Sequence, residues 1–78
     1  MKIKPTQKID VGNNIKDIVQ KKKFRKVDII REMQLAGIEM TKQRFYKLET
    51  NQAYVTADEL VMLAKILECD IAEFFSEN

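Results

Sequence analysis

The chain of 78 residues has no histidine, no tryptophan and one cysteine, Cys69. A lone cysteine excludes an internal disulfide and fits a reducing cytoplasm. Cys69 reads as a small filler near a helix end. Without histidine and with one thiol, a zinc site of the usual ligand types is implausible, and no other cofactor or small-molecule ligand is evident. No apolar run approaches the roughly 20 residues that cross a bilayer, so no membrane role is expected. The start, MKIKPTQKID, lacks the apolar core of a secretion signal. Catalytic chemistry finds no footing either: there is no Ser or Cys set beside a base, no Gly-rich phosphate loop and no inward pair of carboxylates. Asp28 and Glu32 are one helical turn apart, but on a face expected to be solvated. Two glycines and one proline leave few helix breakers, and no long alternation of β-branched residues suggests a sheet. The expectation is an all-α domain that is not an enzyme.

What is present is charge, unevenly placed. Residues 1–47 carry 13 Lys/Arg against 5 Asp/Glu, a balance of +8, while residues 48–78 carry 1 against 7, a balance of −6. A basic half joined to an acidic half suggests one face for a polyanion and one turned away from it; two solvated surfaces of opposite sign are the plainer alternative.

The pattern divides into an N-terminal arm, residues 1–12, and a helical domain, residues 13–78. In the arm, Pro5 and Gly12 interrupt any helix, and Ile9 and Val11 are expected to anchor it by packing. A first helix is expected from Asn13 or Asn14, a good N-cap, with Ile15, Ile18 and Val19 as its buried stripe. Lys21-Lys22-Lys23 closes it, with Lys23 as the turn residue; these lysines suit either a DNA backbone or solvent. A second helix runs from Lys26 to Leu35 with Ile29, Ile30 and Met33 inward, and Gly37 ends it. Thr41 caps a third helix that closes at Glu49, and Asn51 suits a left-handed turn. Thr56 or Asp58 caps a fourth, the Thr56–Glu59 stretch having capping-box form. Its inward stripe is Leu60, Leu63, Ala64 and Leu67. Asp70 caps a short last helix whose Ile71, Phe74 and Phe75 close the core. Met62 and Ile66 point off the fourth helix's stripe, toward either a dimer seam or packing within the chain.

The third helix carries the functional question. At 100° per residue, Thr41, Phe45 and Leu48 fall within about 60° of one another. Gln43, Tyr46 and Lys47 lie opposite, with Lys42 and Arg44 on the flanks. The exposed side therefore offers amide, guanidinium and ammonium groups, the groups that read purine edges and hold phosphates in the major groove. A solvated helix face is the alternative. Tyr46 and Tyr54 suit phosphate contact or surface packing equally.

The run FRKVDIIREMQLAGIEMTKQRFYKLETNQAYVTADELVMLAKILECDIAEFF resembles the phage-repressor-like helix-turn-helix family of the Cro/cI type, over residues 13–75. The residues that carry the likeness are Leu48-Glu49 closing the third helix, the "VT..EL..LAK.L" fourth helix and the "DIAEFF" end. The turn before the third helix, "QLAGI", looks like the longer-turn variant. The resemblance implies a compact five-helix bundle, lambda-repressor-like, with the second and third helices as a helix-turn-helix. It implies double-stranded DNA as partner, a homodimer, and a role as a transcriptional regulator of the repressor kind. The implied DNA contacts are Lys26, where the family commonly has a phosphate-binding Gln, then Thr41, Lys42, Gln43, Arg44, Tyr46 and Lys47. The chain departs from the pattern in four further places. Ile30 stands where a small Ala is usual, so the second and third helices are expected to sit further apart. Lys23 and Asn51 replace turn glycines. Val19 replaces an Arg that pairs with the Glu ending the third helix, so Glu49 is expected to lack that ion pair. A protein-interaction module on the same scaffold, antirepressor or antitoxin-like, is the alternative function.

Overall fold

A computed structural model describes residues 2–3 and 9–77. Four α-helices dominate it: α1 (Val11–Lys21), α2 (Lys26–Leu35), α3 (Lys42–Glu49) and α4 (Ala57–Leu67). A two-residue strand β1 (Lys2–Ile3) pairs antiparallel with β2 (Val55–Thr56), just ahead of α4. The closing helix expected after Asp70 is a 3-10 turn over Ile71–Phe75, so the described residues hold four α-helices and not five.

Each helix begins on a side-chain cap or an extended residue, as helix starts require. Asp10 accepts from Asn13 N at 2.9 Å and opens α1. Helix α1 therefore starts at Val11, ahead of the expected Asn13 or Asn14. Asn14 is instead inside the helix and buried, where its Nδ2 donates to the carbonyls of Phe74 and Ser76, both at 2.9 Å. That side chain ties the C-terminal turn to α1. Gly12, expected as a breaker, sits in the first turn of α1. A Cβ there would collide with Asn51 Oδ1 and the Leu48 carbonyl and come within 2.9 Å of the Glu49 carbonyl. The lack of a side chain is what lets α1 meet the end of α3. The interruption expected at Pro5 lies outside the described residues.

The helix ends share one solution. Each C-terminus stops on a left-handed residue: Lys23 (φ 60°), Gly37 (φ 86°), Asn51 (φ 60°) and Glu68 (φ 53°). After each one, the next N–H reaches back to the fifth residue before it: Phe24 to Val19, Ile38 to Met33, Gln52 to Lys47 and Cys69 to Ala64. This is the Schellman arrangement, which satisfies carbonyls the helix would otherwise leave open.

The helices enclose one core of Val11, Ile15, Val19, Ile29, Met33, Met40, Phe45, Leu48, Val55, Leu60, Leu63, Leu67 and Phe74. Ile9, Ile18, Phe24, Ile30, Ala64, Cys69 and Phe75 are partly buried against it. Met62 and Ile66 also pack half-buried against this core. Ile71 does not close it: that side chain is exposed, and Phe74 takes the buried place alone. No helix among the described residues is long and apolar enough to cross a membrane.

Candidate nucleic-acid interface

Helix α3 is short and fixed at both ends. Thr41, extended at φ −126° and ψ 165°, accepts from Arg44 N at 3.1 Å through its hydroxyl. Upstream, Gln34 Nε2 donates to the Met40 carbonyl at 2.7 Å, which holds the turn from α2. Phe45 and Leu48 are buried and anchor one side of the helix. Lys42, Gln43, Tyr46, Lys47 and Thr50 are exposed on the rest. The wheel thus places Phe45, Leu48 and the outer side chains, but Thr41, set on its inner stripe, is exposed, and one flanking residue is an exception.

That exception is Arg44. Its Nε donates to Glu59 Oε2 at 2.8 Å and its Nη2 to Glu59 Oε1 at 2.9 Å, a bidentate fork. Nη2 also donates to the Tyr54 carbonyl at 3.0 Å. Glu59 meanwhile accepts from Thr56 N at 2.8 Å and completes the capping box of α4. Burial alone would raise the Glu59 carboxyl, yet the hydrogen bonds from Arg44 and the Thr56 backbone hold it below the usual range. The same hydrogen bond raises the Arg44 guanidinium further above its ordinary value. Arg44 therefore braces α3 against α4, with the donors of Nε and Nη2 spent inside the chain. Neither Glu59 nor the Tyr54 carbonyl is visible as its partner from the sequence, where Glu59 reads only as a capping residue.

Lys26 is also engaged. Its Nζ lies 2.8 Å from Glu49 Oε1, and the Glu49 side chain is only 2% exposed. Glu49 thus lacks the ion pair with α1, as expected from Val19, and takes its cation from the start of α2 instead. The Lys26 side chain remains 50% exposed, so its ammonium still faces solvent on one side. The other carboxylate oxygen, Oε2, is buried without a hydrogen-bond partner among the described residues.

Between α2 and α3 lies a cleft of about 500 Å³. Val27 and Ile30 line it from α2 and Phe45 and Tyr46 from α3, and the exposed Lys26 and Lys42 belong to the same lining. Ile30 occupies the place where a smaller residue would let the two helices close further. Val27, which the sequence did not single out, is 59% exposed, as is Tyr46. At the start of α2, Arg25 and Arg31 both bond Asp28, at 2.9 and 2.7 Å, and hydrogen bonding from Arg25 holds that carboxyl low. Asp28 is therefore occupied by arginines rather than available beside Glu32. No group of three or more potential metal ligands occurs among the described residues.

With α2, its glycine turn and α3 in place, the comparison with known families is direct. Residues 14–77 match the Cro/C1-type HTH DNA-binding domain, and the chain belongs to that family. Neither the curated proteins nor the solved structures contain a match.

Proposed function

We propose that the chain is a sequence-specific, DNA-binding transcriptional regulator, of the repressor kind, that lays α3 in the major groove. The observation that carries this is the division of α3. Phe45 and Leu48 are sunk in the core, while Lys42, Gln43, Tyr46 and Lys47 stand free on the outer side. Gln43 is the base reader, since an amide can hold adenine in a bidentate manner. Lys42 and Lys47 reach base edges or the phosphates beside them. The N-terminal N–H groups at Thr41 and Lys42 favour a phosphate there. Lys26 adds a point charge toward the backbone, already oriented by Glu49. Arg44 acts through Glu59 by fixing the tilt of α3, and makes no base contact in this reading.

One copy covers few base pairs, so specific binding uses a homodimer on two half-sites about 34 Å apart. The protein acts in the cytoplasm on double-stranded DNA. The test is selection from a random duplex pool. An enriched inverted repeat with that spacing is expected; a pool that stays random after repeated rounds contradicts the reading and favours a protein-interaction module.

A further inference from the structure

We propose that Val27 and Tyr46 form a thymine-reading slot: the cleft between α2 and α3 receives the 5-methyl group of a thymine in the bound duplex. This rests on the DNA-binding reading above and adds a determinant that the polar side of α3 does not supply.

Two side chains are out of place for a solvated helix surface. Val27 lies in the first turn of α2, among Arg25, Lys26, Asp28 and Arg31, yet it is an apolar β-branched residue with 59% of its surface in water. A β-branched residue is a weak helix former, so helix stability does not account for it. Tyr46 is equally exposed and stands across the cleft on α3. Below them, Ile30 and the buried Phe45 make the floor apolar. The slot is thus apolar-walled and open to solvent.

The charge around it selects the occupant. The exposed Lys26 and Lys42 belong to its lining. The one carboxylate in the lining, Glu49, is buried and paired with Lys26, so Lys42 is left as the uncompensated positive charge of the mouth. An apolar slot with a cation at its mouth suits an apolar group carried on a polyanion. The major-groove edges of the four base pairs offer one such group, the thymine methyl. An apolar helix of a protein partner would fill the walls equally well but would leave Lys42 without counter-charge. The cleft is far larger than one methyl, so it takes the edge of a base step and no base need leave the stack.

The experiment uses the full chain and an enriched duplex from the selection, with each thymine replaced in turn by deoxyuridine, which lacks only the methyl. Burying one methyl-sized group predicts about fourfold weaker binding when the methyl at the slot is removed. In the Val27→Ala, Tyr46→Ala double variant that penalty disappears, whereas Tyr46→Phe keeps it, because the ring remains. Both positions are exposed, and a circular-dichroism melt verifies that the variants fold. Tight binding of the enriched duplex with no deoxyuridine penalty at any position overturns the slot while leaving the regulator reading intact. So does a penalty that persists in the double variant, which assigns the cleft to another occupant, such as an apolar segment of a protein. Failure to bind any duplex removes both readings together.

Discussion

Arg44 and Glu59, fifteen positions apart, meet in a two-pronged ion pair at 2.8 and 2.9 Å. The pair joins the middle of α3 to the first turn of α4. The Glu59 side chain is 5% exposed and that of Arg44 35%, so the junction lies partly out of water, where a bidentate bond is worth more than at the open surface. Removing the arginine strands a buried carboxylate. Arg44→Ala is expected to lower stability by about 2 kcal/mol, read as a lower urea midpoint with an unchanged slope. Arg44→Lys recovers only part of it, since an ammonium cannot reproduce the fork.

The same pair sets an acid response. Glu59 is held below its unfolded value, near pH 4.3, so in the acid range the unfolded chain binds more protons than the folded one. Stability from this group is complete above the unfolded value and is lost as pH falls through the folded one. Urea unfolding from pH 7 to pH 3 is expected to show declining stability, with a shallower decline in Glu59→Gln. An equal decline in that variant removes Glu59 from the acid response, leaving groups such as Asp28, which is also held low.

Gly12 offers a prediction whose sign runs against propensity. In a helix interior, Gly→Ala usually gains about 1 kcal/mol. Here the new Cβ meets the Leu48 and Glu49 carbonyls and Asn51 Oδ1. Two of these are backbone, so they yield only if α1 and α3 separate. Gly12→Ala is expected to destabilise by about 1–3 kcal/mol, measured by thermal or urea unfolding.

The left-handed helix ends give the converse. Lys23 and Glu68 adopt positive φ with side chains that the turn does not require. Lys23→Gly and Glu68→Gly are each expected to stabilise by about 0.5–1 kcal/mol. Asn51→Gly goes the other way, although its φ is the same 60°. Asn51 Oδ1 accepts from Gly12 N at 3.1 Å and its Nδ2 donates to Asp10 at 2.6 Å. Losing both is expected to cost about 1–2 kcal/mol. Parallel urea titrations of the three variants check the opposite signs.

These residues also show where sequence reasoning works and where it stops. The bounds of α2 and α3 are legible because their signals are local: Gly37 after α2, Thr41 ahead of α3, and an apolar stripe between caps. Left-handed turns at Lys23 and Asn51 are legible for the same reason. Gly12 misleads, because what keeps it glycine is the approach of α3, 36 and more positions away. The start of α1 is misplaced with it, and Asn14, a plausible cap, turns out to bind the far end of the chain. Glu49 and Arg44 are alike hard to pair from the sequence. Their partners, Lys26 and Glu59, belong to other helices, and a helical wheel records only the face on which a side chain begins. The outward set of Lys42, Gln43, Tyr46 and Lys47 is legible, since exposure on α3 follows from its own period. The Val27 and Tyr46 cleft is not, because it takes two helices to make one.

If the outer side of α3 reads DNA, titration of a labelled duplex at several salt concentrations shows both charge release and base reading. With about six phosphate contacts, the logarithm of affinity is expected to fall against the logarithm of salt with a slope of about −5. At fixed salt, wild type should prefer an enriched duplex over a scrambled one, and Gln43→Ala should lose most of that preference while keeping the slope. Affinity that ignores salt, or a Gln43→Ala variant that discriminates as well as wild type, would contradict the account.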